Sequence, residues 1–303
     1  MSKIQSALRF FKEDRGAFMA AIVQNFFRWL PDKPYLQLLY RFKMGHRLNL
    51  KNPKTFTEKL QWLKLYDRNP LYTRIVDKFE VKDYIASIIG KEYLIPTLAV
   101  WDNVENIDIE VLPDKFVLKT TNGGGGSGVV ICKDKRSFDL ELAKKRLVES
   151  IKSNIYIGFR EWAYKNIKPR IIAEKYMEDN VTGDLRDYKY YCFNGEPKAL
   201  LIATERFSSN HAYFDYFDME RNHLPFTQGG NNNPCMPMLP EQFEEMRTLS
   251  QKLAAGFKHI RVDLYVVNKK VYFGELTFFD SSGFEAFNPP VWDYKFGEWL
   301  NLK

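Results

Sequence analysis

The run FVLKTTNGGGGSGVVI, residues 116–131, sets Lys119 at the end of an apolar β-type stretch, just ahead of Gly123, Gly124, Gly125, Gly126 and Ser127. Glycine has no Cβ, so such a loop can fold closely around a ligand with its N–H groups pointing inward, an arrangement suited to anions. The ammonium of Lys119 can then lie over phosphates that the loop covers. A Walker loop runs through Gly-Lys-Ser/Thr straight into a helix. Here Gly128-Val129-Val130-Ile131 reads instead as a strand, so the expectation is a glycine-rich hairpin lid. Lys78, one helix earlier, is a second candidate for the same phosphates.

Asp263 and Glu275 are the carboxylates that matter most, because each interrupts an apolar β run, RVDLYVV and VYFGELTFF. A buried carboxylate needs a partner such as a metal. Mg²⁺ takes one or two carboxylates together with substrate phosphates, which fits such a pair. The turn between the runs decides the geometry. A two-residue turn at Asn268-Lys269 would pair Asp263 with Gly274 and send Glu275 to the other face of the sheet. A three-residue loop, Asn268 to Lys270, would place Asp263 opposite Glu275, and this is the arrangement expected. Glu174 and Asp187 can accept hydrogen bonds from ribose hydroxyls, and the backbone after Glu174, through Lys175, Tyr176 and Met177, can read adenine. Arg261, Arg206 and Lys189 lie on or beside strands leading to the same region and could neutralise charge developing on a γ-phosphate. Taken singly, a charge near a strand end is most often just solvated.

The elements that must position these groups are legible in outline. Residues 1–70 read as mostly helical, with Thr57 and Glu58 as a start signal before Leu60, Leu63 and Leu65. A second helix is expected over Tyr72 to Ile89, stopped by Gly90, then a strand at Ile95 to Val100 and an acidic connection from Asp102 to Pro113. After the lid come a helix from Ser137 to about Ser153, a strand at Ile171 to Met177, and a hairpin of Asp187 to Phe193 with Lys198 to Arg206. Asn194-Gly195 is a strong two-residue turn signal for that hairpin. Residues 227–240 read as a mobile loop. A helix from Pro240 to Lys258 leads into the last hairpin, Ile260 to Val267 and Val271 to Phe279.

With 303 residues, subdomains are expected. A net charge of +7 favours anionic partners without choosing among them. Three separated cysteines without CxxC argue against a disulfide framework and for a reduced, cytoplasmic setting. The four histidines show no zinc spacing. No apolar run is long enough to span a bilayer. Lys3, Arg9, Lys12 and Arg15 alternate with Ile4, Leu8, Phe10, Phe11 and Phe18. That pattern suits a helix docked on its own domain, the preferred reading, or one in peripheral association with an anionic inner membrane face.

Together the strand lysine, the glycine-rich lid, the segment Glu174 to Met177, the Asp187-Tyr188-Lys189 strand, and Asp263 and Glu275 resemble, in kind and order, the ATP-grasp superfamily. More narrowly, the NGGGGSG lid and GELTFFDSSGF, residues 274–284, look like its TupA-like branch, named for teichuronopeptide biosynthesis and often found among surface-polysaccharide genes. The resemblance implies an α+β ATP-grasp fold in which two α+β lobes grip ATP, preceded by a helical N-terminal segment. Its divisions would be 1–70 helical, 71–115 leading in, 116–178 the lobe with the lid, and 179–303 the lobe with the metal-binding hairpin. Many ATP-grasp ligases end the metal strand Glu-x-Asn, the Asn completing Mg²⁺ coordination; here that position is Thr277, with a shorter and poorer ligand.

The activity implied is carboxylate–amine ligation: ATP phosphorylates a carboxylate and an amine displaces phosphate from the acylphosphate. ATP and Mg²⁺ would be the cofactors. The partners would be a carboxylate-bearing substrate, a uronic acid or acidic amino acid that could be glycan-linked, and an amine. Asp280, Ser281 and Ser282 would form a polar turn at the acceptor pocket. A kinase using the same grip on a hydroxyl is the first alternative. A glycosyltransferase is the second, but it commonly wants a D-x-D motif, and none occurs here. A nucleic-acid-binding module ranks low, since no RNA-binding aromatic signature is present and basic residues are dispersed.

Overall fold

The computed structural model describes residues 14–124, 126, 128–180, 185–205 and 212–303. Gly125, Ser127 and Arg206 lie outside the described residues, as does most of the basic N-terminal stretch. The chain opens with three helices, α1 (Arg15–Phe26), α2 (Asp32–Met44) and α3 (Phe56–Tyr66). The start of α3 is fixed two residues earlier than expected: Thr55, not Thr57, is the cap, and its hydroxyl accepts from the Glu58 N–H while Glu58 reaches back to the cap N–H. This is a capping box, which satisfies two otherwise orphaned donors. Thr57 has another role, donating its hydroxyl to Asp293 at 2.7 Å and so tying α3 to the far end of the chain.

The single helix expected over 72–89 is two, α4 (Leu71–Val76) and α5 (Val81–Ile89). Asp77 breaks it. Its Oδ1 accepts from the N–H groups of Phe79 and Glu80, each at 2.9 Å, offering the backbone a local alternative to the helical bond. In the break, the Lys78 N–H donates to the Thr121 carbonyl at 3.1 Å, which brings this lysine against the glycine segment.

An antiparallel four-stranded sheet follows, ordered β1 (Thr97–Trp101), β4 (Ile171–Lys175), β2 (Phe116–Thr120), β3 (Val129–Cys132). Helix α6 (Leu140–Lys152) covers one face, burying Ala143 and Leu147 against Phe116, Leu118, Val130 and Cys132. Helix α7 (Ile155–Phe159) leads back toward β4. The second sheet has six strands, ordered β11 (Lys270–Thr277), β10 (His259–Val267), β5 (Asp187–Phe193), β6 (Glu196–Thr204), β7 (Tyr213–Asp218), β8 (His223–Leu224). Its pairings are all antiparallel, so the chain is α+β as the sequence suggested. Two short strands, β9 (Thr227–Gln228) and β12 (Phe287–Asn288), pair separately. Helix α8 (Phe243–Ala254) and a closing helix, α9 (Val291–Trp299), which was not expected, pack into the main core with α3.

The turns of the β5–β6 and β10–β11 hairpins are each two residues long. Asn194 and Gly195 have φ of 49° and 87°, and Asn268 and Lys269 have 50° and 64°. Such left-handed pairs match the twist of the flanking strands. The three-residue loop expected at 268–270 is therefore incorrect, because Lys270 already pairs with Val267. Asp263 nevertheless stands opposite Glu275, since the register shifts by one residue between Asp263 and Leu264, whose partner is Phe273. Gly274 is the extra residue of a β-bulge.

Candidate active site

A cavity of about 820 Å³ is lined by both sheets. The first sheet and its loop contribute Lys119, Gly123, Gly124, Gly126 and Glu174 to Met177; the second contributes Asp187, Lys189, Asp263 and Glu275. Lys78 completes the wall. Residues drawn from widely separated stretches of sequence thus face one space.

The glycine hairpin is closed by the Thr120 N–H, which donates to the Gly128 carbonyl at 3.0 Å. A side chain at Gly128 would strike the hydroxyls of Thr120 and Ser150, themselves bonded at 2.8 Å. Lys78 donates its ammonium to the Gly123 carbonyl and lies 3.8 Å from the Glu275 carboxylate. It therefore sits between the loop and the acidic hairpin.

Lys119 is on the cavity but its ammonium is paired with Glu174 at 2.7 Å. The other Glu174 oxygen takes Lys82 at 2.5 Å, and Lys82 also donates to the Ile95 carbonyl and the Thr97 hydroxyl. Burial alone would raise the Glu174 carboxyl, but Lys119 and Lys82 outweigh it and hold its pKa below the ordinary carboxylate range. In this state Glu174 positions lysines. Lys82 was not singled out by sequence, since nothing in its α5 context separates it from a surface lysine.

Asp263 is buried and fully engaged. Arg261 grips it in a two-pronged bond, Nε to Oδ1 and Nη2 to Oδ2, both 2.7 Å, and Lys189 donates to Oδ2 as well. Burial pushes the Asp263 carboxyl up, and these two cations pull it below its usual value. Arg261 continues to Asp280 through Nη1, to Thr277 at 3.3 Å and to Glu275 at 3.5 Å. Burial would lower the guanidinium pKa; the Asp263 and Asp280 carboxylates drive it higher instead. Arg261, Thr277, Asp280, Ser281 and Ser282 do not line the cavity. Asp280 is buried and Ser281 is exposed. Asp187 is buried on the cavity, 3.8 Å from the Lys189 ammonium.

Glu275 could hold a Mg²⁺ ion in the sparing way typical of that metal, by one or two carboxylates with phosphates supplying further oxygens; Asp263, whose oxygens already bond Arg261 and Lys189, could join it only through a remaining lone pair. Glu275 has the freer carboxylate, its side chain 38% exposed. No larger His, Cys, Asp and Glu cluster capable of holding a metal occurs among the described residues.

The order of these parts along the chain and their meeting in one cleft define an ATP-grasp protein. A family model described as TupA-like ATPgrasp matches residues 58–301, and the chain belongs to that family. Among solved structures it is similar to D-alanine–D-alanine ligase from Helicobacter pylori, at 17% identity over 81% of this chain and 69% of that one, with a TM-score of 0.43. It is also similar to the D-alanine–D-alanine ligase from Bacillus anthracis complexed with ATP, at 15% identity and a TM-score of 0.38, covering 67% of this chain and 53% of that one. A third is N5-carboxyaminoimidazole synthase from Aspergillus clavatus, in complex with ADP and 5-aminoimidazole ribonucleotide, at 14% identity and a TM-score of 0.38, covering 68% and 44%. This chain thus spans about half the length of the Bacillus anthracis ligase. No curated protein matches it.

Proposed function

We propose that this protein is an ATP-dependent carboxylate–amine ligase of surface-polysaccharide biosynthesis, working in the cytoplasm on a uronic acid or acidic amino acid. The observation that carries the reading is the single cavity shared by the glycine hairpin, Lys78 and Lys119 on one side and Asp263 and Glu275 on the other. In this reading the hairpin amides and both lysines hold the triphosphate, and Lys175 to Met177 hold the adenine. Asp187 is the acceptor for ribose hydroxyls. Mg²⁺ on Asp263 and Glu275, with the Thr277 hydroxyl nearby, would neutralise phosphate charge when bound.

The carboxylate oxygen attacks the γ-phosphorus, ADP leaves, and the amine nitrogen then attacks the acyl carbon and expels phosphate, losing one proton. The protein's own part is positioning and charge stabilisation. Lys189 and Arg261 hold Asp263 in place, and Arg261 supplies positive charge behind the transfer site. Ser281, at the exposed point of the Asp280–Gly283 turn, is the group there best placed to meet an acceptor.

ADP release on adding pairs of candidate acids and amines tests the assignment. Release that depends on both members, with an amide as product, is expected. Release unchanged by any pair, or a stable phosphoester product, would contradict it, the latter in favour of a kinase.

We further propose that the helical lead-in rests on an anionic membrane face. Phe26 and Trp29 are 73% and 75% exposed, and the exposed Arg15, Arg28 and Lys33 lie on the same pair of helices and their connection. Aromatic rings with adjacent basic charge suit a lipid headgroup layer.

A further inference from the structure

Lys64 of α3 is wholly buried, and no role for it is legible in the sequence. An ammonium taken out of water needs acceptors on every side. It finds the Ser282 carbonyl at 2.6 Å, the Phe159 carbonyl at 3.0 Å, the Gln61 side-chain oxygen at 3.0 Å, and the face of Phe284 at 4.5 Å. Gln61, one turn earlier, donates to the carbonyls of Ser282 and Gly283 at 3.1 and 2.9 Å. The countercharge is Glu161, also buried, whose carboxylate accepts from the Ser282 hydroxyl. Burial pulls the Lys64 ammonium down and pushes the Glu161 carboxyl up, and each partner opposes the other's shift.

Lys64, Gln61 and Glu161 all bond to one turn, which its own backbone closes with the Ser282 N–H on the Phe279 carbonyl at 2.9 Å and the Phe284 N–H on the Ser281 carbonyl at 3.1 Å. Ser281, Ser282 and Gly283 are three successive left-handed residues, with φ of 45°, 54° and 65°. Residues with a side chain adopt that conformation only where the surroundings over-determine it. The residue immediately before the turn is Asp280, which binds the same Arg261 that grips Asp263 and reaches Thr277 and Glu275.

We propose that Lys64 is a positioning residue: with Gln61 and Glu161 it fixes the Ser281–Gly283 turn, the turn fixes Asp280, and Asp280 fixes the Arg261 guanidinium against the acidic hairpin. The helical lead-in is then part of the transfer centre. The catalytic meaning of this relay rests on the ligase reading above, but the relay itself is tested without activity.

The variant is Lys64→Met with Glu161→Gln, which removes both buried charges so that neither is left unpaired. The primary readout is the Arg261 Nε–H signal in ¹⁵N NMR, assigned by its loss in Arg261→Lys. The bond to Asp263 shields this proton, so the double variant is expected to raise its exchange with water by about tenfold or more through local opening. Affinity for Mg²⁺–AMP-PNP by calorimetry is the second readout: Lys64 does not line the cavity, so any fall is expected to come through Arg261 and Asp263 and to accompany the faster exchange. Ser282→Ala, which keeps both charges and removes only the hydroxyl, should accelerate exchange in the same direction, and it carries the test if the double variant does not fold. Unchanged Arg261 exchange in both variants would overturn the proposal, as would nucleotide affinity falling while Arg261 exchange stays at the parent rate. A parent protein that releases no ADP with any acid–amine pair would count against the ligase reading and leave the Arg261 result standing.

Discussion

Asp263 faces Glu275 across β10 and β11 because Gly274 is bulged out of the ladder, making good the residue that the two-residue Asn268-Lys269 turn omits. A Cβ at position 274 would lie 2.8 Å from the Tyr265 ring and 3.0 Å from the Asp263 backbone carbonyl. The carbonyl cannot yield without moving Asp263 itself. Gly274→Ala is therefore expected to destabilise the fold by about 1–3 kcal/mol in urea unfolding, the usual range for overpacking. It should weaken Mg²⁺-dependent nucleotide binding as well. Parent-like values of both would show that the bulge does not set the pair.

That pairing marks how far the sequence could be read. The interruption of two apolar runs by acids was visible, and so was the hairpin joining them. The turn length was misjudged because Lys269 takes a left-handed conformation that a lysine rarely adopts, and a bulge leaves no periodic signal in a strand this short. The break at Asp77 was hidden for a related reason: apolar spacing continues across it, and only the local Asp77 bonds interrupt the helix. Lys119 and the glycines could be picked out as candidates because type and neighbours coincide within a few residues, and they do line the cavity; Lys78, far from the glycines in sequence, was the weaker candidate. Lys82, Lys64 and Glu161 could not, since their partners are distant in sequence.

The two lysines on Glu174 should behave differently. Lys82→Met removes a buried charge-assisted bond and is expected to cost about 1.5–3 kcal/mol of stability. Lys119→Met leaves Glu174 still paired with Lys82 and removes a cation from the cavity, so its larger effect should be on nucleotide affinity. Calorimetry of AMP-PNP binding beside thermal unfolding separates the two; equal effects of both variants on both measurements would contradict the division.

Glu174 also sets a pH dependence. Its native carboxyl titrates below its unfolded value of 4.5, so the stabilisation from its ion pairs is present above that value and is lost as pH falls through the lowered native pKa. His259 acts in a higher window. Burial lowers its pKa from 6.5 to about 3; its Nδ1 lies 3.0 Å from the Cys192 carbonyl, and the buried Nε2 has no hydrogen-bond partner among the described residues. The unfolded chain takes up this proton first, so stability contributed by neutral His259 is full above about pH 6.5 and falls toward pH 3, with a slope of about 1.4 kcal/mol per pH unit in between. His259→Phe should lose that share of the slope between pH 4 and 6 in urea titrations, whatever its stability at pH 8. A slope identical to the parent's would show that the ring protonates freely.

The membrane reading is tested by sedimentation with vesicles of phosphatidylglycerol and phosphatidylcholine. Binding to the anionic vesicles alone is expected, with Phe26→Ser/Trp29→Ser reducing it by about tenfold, as the loss of interfacial rings predicts. Binding that ignores both lipid charge and the substitutions would remove the assignment.

The central claim is that a triphosphate lies between the glycine hairpin and the Asp263–Glu275 pair, and a crystal structure with Mg²⁺ and AMP-PNP tests it most directly. The account predicts phosphate oxygens within hydrogen-bonding distance of the Lys78 and Lys119 ammonium groups, with the metal against Asp263 and Glu275. A nucleotide bound elsewhere, or phosphates turned away from both lysines, would contradict it.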